Sequence, residues 1–476
     1  MSGNLAASFI ARAEQRPGLV VGAVDDALTL PTLLGLAAGR ARVLLGEGIR
    51  PGDRLAMVDA SSTDYLITWL ACLLVGAPVA LVNPTYPDDL LDAMLAPLSP
   101  ARVFRADDIA AARAAGPDDV SGLPGLSRAA DQAVSFMHTS GTTGLPKFCV
   151  QSHEYFQRLA RAMGGALDLT ADDRVLAPLP LFHINPMGYG MITSLLTGAD
   201  ALTVRKFSAS GFWPTVIDER VTVMILHAPP VEILKRATTS EQSAGHRVRT
   251  MFYADRAFLE KFGIPAAVSG YGSTEAGGVS HLRRWRMTDR IPDNASRYGG
   301  PARDDTEWKL DGDGIIHVRD RENGALFGGY VRAQGIDTAR DEEGWFDTGD
   351  LGRLSDTPAS GEPELVFLER AAESIRVKGE FVPIPFVENA LAQVPGIEDL
   401  ALWKRPGEMV DDDVVLYVVA TEVPVEAIRR ATSTLPHFMR PVVAARVDSL
   451  PRDAAAGKVQ RRLLSDAPVL EWVDLT

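Results

Sequence analysis

The chain has 476 residues, 46% hydrophobic and 23% charged, a balance that buries a sizeable core and excludes global disorder. Its 48 lysines and arginines face 62 acids, a net charge of −14, so it lacks the field needed to track a nucleic-acid backbone. Two cysteines, Cys72 and Cys149, exclude a disulfide scaffold or a four-cysteine zinc site, and the eight histidines fall in no metal-ligand spacing.

From the N-terminus, Leu5, Phe9, Ile10 and Ala13 recur at helical spacing among Arg12, Glu14 and Arg16. That pattern predicts an amphipathic helix, because the unbroken apolar stretch of a signal peptide is missing. Residues 55–58 and 79–82 are apolar runs of strand length. The longer apolar stretch 65–82 is divided by Gly76-Ala77-Pro78 into a helix and a strand, each too short to cross ~30 Å of hydrocarbon. No membrane span is expected, and the composition fits a soluble, cytoplasmic enzyme. Further apolar runs at 134–138, 221–226 and 414–420 read as strands, and 154–167 and 212–220 as helices. Strands alternating with helices predict an α/β fold, with parallel-rich sheets and flanking helices.

Around 308–332 the texture changes. Trp308-Lys309-Leu310, the turn Asp311-Gly312-Asp313-Gly314 and Ile315-Ile316-His317-Val318 predict a β-hairpin, with Gly328-Gly329-Tyr330 soon after, so a small antiparallel β unit is expected there. Residues 355–363 (SDTPASGEP) read as an exposed loop, and a helix-plus-strand set follows from Phe386. A boundary near residue 370 gives a large N-terminal domain, 1–370, and a small α+β C-terminal domain, 371–476.

The strongest chemical signal is Thr139-Ser140-Gly141-Thr142-Thr143-Gly144-Leu145-Pro146-Lys147, directly after the apolar run that begins at Val134. Glycines allow close backbone approach to an anion, and four hydroxyls with a lysine are suitable donors to phosphate oxygens. It is not a Walker A loop: the second glycine falls too early, Pro146 precedes the lysine and Phe148 replaces the expected hydroxyl residue. Neither Ser140 nor Ser273 lies in the G-x-S-x-G pattern of a serine hydrolase, and Asn294-Ala295-Ser296 carries no meaning as a glycosylation acceptor without a secretory signal.

This loop resembles that of the adenylate-forming superfamily: acyl- and aryl-CoA synthetases, nonribosomal adenylation domains and firefly luciferase. Further motifs follow in the family's order. Pro178-Leu179-Pro180-Leu181-Phe182-His183 resembles the segment beside the acyl pocket, and Tyr271-Gly272-Ser273-Thr274-Glu275 resembles YGxTE. Asp347-Thr348-Gly349-Asp350 resembles TGD, and Glu369-Arg370 with Ile375-Arg376-Val377-Lys378-Gly379-Glu380 resembles the hinge and glycine loop. Pro451-Arg452 through Gly457-Lys458-Val459 resembles the PRxxxGK ending. Each residue taken singly has a plain alternative as a solvated charge or, for His183, a hydrogen-bonded histidine.

The resemblance implies attack of a substrate oxyanion on the α-phosphorus of ATP, with Mg²⁺ present and coenzyme A as the second substrate. It implies that Thr139, Ser140, Gly141, Thr142, Thr143, Gly144 and Lys147 hold the β- and γ-phosphates. Glu275 would bind the metal, Thr274 the α-phosphate, and Tyr271, with Gly272 and Ser273, would pack beside adenine. Asp350 with Arg370 would bind the ribose hydroxyls, Lys458 would bridge the oxyanion and the α-phosphate, and Gly379 would line a thiol channel opened when a mobile C-terminal domain swings. Ala372 stands where relatives carry a polar hinge residue. Residues 250–262 look shorter than the Gly/Ala-rich turn of relatives, so a remodelled pocket wall is expected; Asp255 and Arg256 either point into that pocket or open the following helix. Candidate acid-pocket residues are His183, Asn185, Met187, His227, Pro229, Tyr253 and Ser273. The spelling around Glu380 to Leu391 resembles carnitine/crotonobetaine-type and fatty-acid CoA ligases. The acceptor stays open between coenzyme A, an acyl-carrier protein, and nitrite-dependent diazotisation of an arylamine.

Overall fold

The computed structural model describes every residue except 1–2, 87, 140–145, 359–360, 371–374, 378–379, 383, 407–411 and 453–457. The chain divides into two units. The first comprises Met1–Leu310, His317–Thr348 and Leu354–Val366; the second comprises Asp311–Ile316, Gly349–Arg353 and Phe367–Thr476.

In the first unit the continuous apolar runs become the buried centre of a sheet. Leu55–Val58 and Val79–Val82 pair in parallel and are buried at every position. Side chains on both faces of a strand need a dry cover, which is why such runs carry no polar alternation. The sheet has seven strands, in the order Gly335–Asp337, Tyr330–Arg332, Phe148–Ser152, Ala133–His138, Val79–Val82, Leu55–Val58, Arg102–Phe104. Ala133–His138 joins its apolar neighbour in parallel, and Phe148–Ser152 folds back antiparallel to it. The helix Thr63–Val75 covers this sheet and is buried at every position except Asp64; Ser62 caps it by accepting from Tyr65 N, and it ends at the left-handed Gly76 (φ 77°). Trp69 Nε1 donates to Ser135 Oγ at 3.0 Å, so the helix is keyed to the sheet.

A second sheet of eight strands has antiparallel edges, His281–Arg286 and Leu28–Thr29, around a parallel centre. Its parallel strands are Ala266–Tyr271, Thr250–Phe252, Val223–Ile225, Arg174–Leu176, Asp200–Thr203 and Val20–Ala23. Ligand-binding groups of such sheets gather at the carboxyl ends of the parallel strands. Tyr271 closes one of these strands, and Tyr253 and His227 follow the ends of two others. The N-terminal helix, Leu5–Gln15, buries Leu5, Ala6, Phe9 and Ala13.

The hairpin expected near 308–318 is present as Thr306–Leu310 and Ile315–Asp320, neighbours in a five-stranded sheet completed by Phe346–Leu354, Leu365–Arg370 and Tyr298–Gly300. Asp311 Oδ1 organises the turn by accepting from the backbone N–H groups of Asp313 and Ile315. Tyr330 does not belong to that β unit. Gly328 N donates to Val150 O and Val150 N donates to Gly329 O, which passes the chain into the seven-stranded sheet, where Tyr330 pairs with Cys149. Gly329 adopts φ 125°, a conformation that favours glycine, at that crossing.

The second unit is a four-stranded mixed sheet, Asp399–Pro406, Asp412–Val419, Val443–Val447 and Val469–Asp474. Leu402, Leu416 and Val418 on one face form a core with Val387 and Leu391 of Ile384–Leu391 and Ile428 of Val425–Thr432. Among the described residues of the whole chain, no helix is long and apolar enough to cross a membrane.

Candidate functional site

The ends of the hydroxyl-rich loop are held by the hairpin that carries them. Thr139 N donates to Lys147 O at 3.0 Å, and Lys147 N lies 3.4 Å from Thr139 Oγ1. Ser140, Gly141, Thr142, Thr143 and Gly144 lie outside the described residues. Lys147 is exposed, and its Nζ stands 5.0 Å from the centre of the Tyr330 ring, within cation–π reach. The Tyr330 hydroxyl donates to Glu275 Oε1 at 3.0 Å. Lys147 and Glu275, 128 positions apart by number, are therefore linked through one phenol. Sequence reasoning missed Tyr330 as part of this group, because only strand pairing with Cys149 brings it there.

Glu275 is buried at 9% exposure, and its own carbonyl accepts from Phe327 N at 3.1 Å. A carboxylate out of water needs donors or a cation. Its charge, acting after burial itself, helps push the neighbouring Cys149 thiol well above the usual range. Among the described residues no group of three or more His, Cys, Asp or Glu side chains could hold a metal ion. A hard cation at Glu275 would need further oxygen ligands from outside such a group, and Mg²⁺ accepts phosphate oxygens and water in that role.

The turn 272–278 leading to and past this carboxylate is tightly determined. A Cβ at Gly272 would collide with Gly278 O and sit 2.5 Å from Val279 Cα, so only glycine fits. Gly278 N donates to Ser273 O, Ala276 N to Ser273 Oγ, and the Tyr155 hydroxyl to Thr274 O at 3.0 Å. Tyr189 OH donates to Gly278 O at 2.8 Å. Arg303 grips Gly277 O and Val279 O while its other nitrogens form a two-point pair with Asp305 at 2.9 and 2.6 Å. The backbone of Thr274 thus belongs to a clamped turn. Tyr271 is buried, its ring 5.9 Å from that of His281.

The segment 178–183 is tied by Ser61, whose Oγ donates to Leu179 O and accepts from Leu181 N. His183 at its end is exposed, with ring contacts to Phe182 (4.5 Å) and the buried His138 (6.0 Å). The chain then enters a π-helix, Asn185–Ile192. A π-helix of this length is rare and frequent at functional sites. Asn185 Nδ2 donates to Leu226 O at 3.3 Å, which sets it at the carboxyl end of the strand Val223–Ile225. Met187 is buried in the π-helix, while His227 and Pro229 are exposed at the start of Ala228–Ala237.

Tyr253, directly after the strand Thr250–Phe252, has φ 87°, an unusual conformation for a bulky residue. Its hydroxyl is hydrogen-bonded to Ser296 and packs beside the core that includes Ile291 and Ala295. Asp255 resolves to the second of its two readings: Oδ1 caps Arg256–Phe262 by accepting from Phe258 N, and Oδ2 pairs with Lys235 at 2.9 Å. Arg256 pairs with Glu260 along the same helix.

The remaining candidates lie in the second unit. Asp350 is buried in Phe346–Leu354, and Arg370 Nε stands 3.1 Å from its Oδ1. Lys458 is exposed, next to Val459, which bridges to Arg452; Arg452 in turn pairs with both oxygens of Asp399. Gly379 and Ala372 lie outside the described residues.

The model of AMP-binding enzymes matches residues 9–329. The chain belongs to the AMP-binding enzyme family. Within it, one relative is the 3-[(3aS,4S,7aS)-7a-methyl-1,5-dioxo-octahydro-1H-inden-4-yl]propanoyl:CoA ligase of Rhodococcus jostii, 26% identical over 93% of this chain and 94% of the relative. Another is 4-coumarate–CoA ligase 3 of Arabidopsis thaliana, 25% identical over 85% and 79%. Among solved structures, ATP-bound MatB from Rhodopseudomonas palustris shares the fold, with a TM-score of 0.81 at 23% identity over 98% of this chain and 99% of that one.

Proposed function

We propose that this AMP-binding enzyme is an ATP-dependent acid–thiol ligase. A carboxylate oxygen attacks the α-phosphorus of ATP, the bond to the bridging oxygen breaks, and pyrophosphate leaves with that electron pair. The sulfur of coenzyme A then attacks the acyl carbon of the mixed anhydride, and AMP leaves. The observation that carries this reading is the Lys147–Tyr330–Glu275 group at the foot of the hydroxyl-rich loop. It sets an ammonium for phosphate oxygens beside a buried carboxylate suited to a hard cation, in a chain of this family.

In this reading Thr139, Ser140, Gly141, Thr142, Thr143, Gly144 and Lys147 bind the terminal phosphates, and Glu275 holds Mg²⁺. Bound there, the metal supplies charge neutralisation of the phosphate oxygens, which phosphoryl-group chemistry needs more than covalent help. Thr274 donates to the α-phosphate, and Tyr271, Gly272 and Ser273 border the base. Asp350, supported by Arg370, accepts from the ribose hydroxyls, as an acceptor-only carboxylate suits. Lys458 neutralises charge between the attacking oxygen and the α-phosphate, His183 stands beside the acid, and Gly379 borders the thiol path. The same reading takes residues 371–476 as a mobile lid, places the enzyme in the cytoplasm and leaves a carrier-protein thiol as a second acceptor.

The test is acid-dependent release of pyrophosphate and AMP, with and without coenzyme A, across a panel of aliphatic and aromatic acids. Acyl-CoA formation is the expected result. The expectation of a shortened segment 250–262 keeps one alternative open. AMP release that requires nitrite plus an arylamine, with coenzyme A irrelevant, would replace the ligase reading.

A further inference from the structure

His138 closes the strand Ala133–His138, one residue before the hydroxyl-rich loop, and none of the roles above uses it. It is buried, with 5% exposure. Its Nδ1 lies 3.3 Å from Thr139 O. A carbonyl oxygen only accepts, so the proton sits on Nδ1 and Nε2 is left as a lone-pair acceptor. Burial also pushes this imidazole below its ordinary pKa, which keeps the ring neutral, as that tautomer requires. Nε2 is itself buried and has no hydrogen-bond partner among the described residues. An unmet buried acceptor carries its full desolvation cost, so a donor that reaches it gains more than a surface hydrogen bond would.

Among the described residues, three aromatic rings contact His138: Tyr86 at 5.5 Å, Phe182 stacked at 6.1 Å and His183 edge-on at 6.0 Å. Phe182 has no donor. Two imidazoles joined by one N–H···N bond have ring centres about 5 Å apart. The His183 ring centre, at 6.0 Å, lies about 1 Å beyond that distance. Its side chain is exposed, and the backbone before it is anchored by Ser61.

We propose that His138 is a positioning residue for His183. Its Nε2 accepts a hydrogen bond from the His183 ring during adenylate formation, while its Nδ1–H holds the first carbonyl of the hydroxyl-rich loop. The two-imidazole link ties the segment beside the acid to the loop proposed to carry the terminal phosphates. The inference rests on the ligase reading and adds to it a physical coupling between the acid side and the nucleotide side.

A double-mutant cycle tests it, with acid-dependent pyrophosphate release as the readout and thermal midpoints measured in parallel. His138→Phe keeps the ring volume and removes the acceptor; it is expected to lower kcat about tenfold. The double variant with His183→Ala is expected to be no slower than His183→Ala alone, because the link is already broken. His138→Gln, whose amide oxygen can accept, is expected to restore most of the rate. Multiplying losses, or a His138→Phe enzyme as fast as the parent, would overturn the inference, and so would non-additivity found with Tyr86→Phe in place of His183→Ala. If His138→Phe does not fold, the cycle is run with His138→Leu, and the same outcomes decide. Absence of pyrophosphate release from the parent with every acid overturns the ligase reading itself, and the inference with it.

Discussion

The two units place their candidate residues in opposite ways. In the first, Glu275 is buried, its side chain is held by a phenol, and the turn before it is gripped by Tyr155, Tyr189 and Arg303. In the second, the Lys458 side chain is exposed, beside Val459, which bridges to Arg452 and packs against the core that includes Trp403 and Val415. The carboxylate proposed to hold the metal is thus set in a core, whereas the lysine proposed to neutralise charge stands in solvent. Preorganised groups contribute electrostatic stabilisation without rearrangement at the moment of reaction, while a long exposed side chain must be brought to its work. The contrast fits a reaction whose nucleotide seat is permanent and whose neutralising cation is required for one step only.

The largest effect that would sharpen this contrast is on Lys458. Lys458→Ala is expected to reduce acid-dependent pyrophosphate release by about 100-fold or more, with the thermal midpoint unchanged, because an exposed side chain carries rate and not stability. A fall in the midpoint comparable to that of a core variant would break the comparison. In the first unit the two quantities should move together. Tyr330→Phe leaves Glu275 without its hydroxyl donor, so it is expected to cost about 1–3 kcal/mol of stability, seen by denaturant titration, and to raise the Mg²⁺ concentration that supports turnover.

Acid should also separate the units. Burial depresses His281 to about 3, and burial with the nearby Arg128 charge depresses His153 to about 4. His153 is neutral in the fold and accepts from Leu5 N at 3.0 Å. A depressed folded value means that the unfolded chain binds protons first, near its ordinary value of about 6.5. The stability these residues hold above that pH is therefore lost as pH falls from there toward 3 or 4. The second unit has one histidine, His437, and it is exposed. Thermal melts followed at decreasing pH should show the transition that reports the first unit move down earlier, and His153→Gln should reduce that movement.

The smallest expected effect concerns Asp255, in the segment 250–262. Asp255→Ala removes the cap of a short helix and the partner of Lys235, at a cost of about 1 kcal/mol. It should leave the ranking of acids in the pyrophosphate assay unchanged. A reordered ranking would return Asp255 to the acid pocket.

How far all this was legible in the chain follows from which interactions are local. Buried parallel strands such as Leu55–Val58 and Val79–Val82 show in the sequence as unbroken apolar runs, and they are found where those runs lie. The clamped turn was legible as Gly272 because its backbone crowding excludes every side chain. Tyr330 was not, since its place beside Glu275 depends on pairing with Cys149, 181 positions earlier by number. The passage of Gly328 and Gly329 into that sheet left only two glycines as a trace, and these read equally well as a turn in the hairpin unit. Tyr253 gave no sign of its left-handed backbone, which a bulky residue rarely adopts. His138 read as the last residue of an apolar strand, and nothing in its spelling foretold a buried nitrogen without a partner among the described residues.

The central claim is that the triphosphate of ATP rests on residues 139–147 with its metal on Glu275. Crystals of the full chain grown with ATP and Mg²⁺ test it directly. The account expects phosphate density against Thr139 and Lys147 and a magnesium ion in contact with a Glu275 oxygen. A nucleotide bound with its phosphates elsewhere, and Glu275 still engaged only by Tyr330, would contradict it.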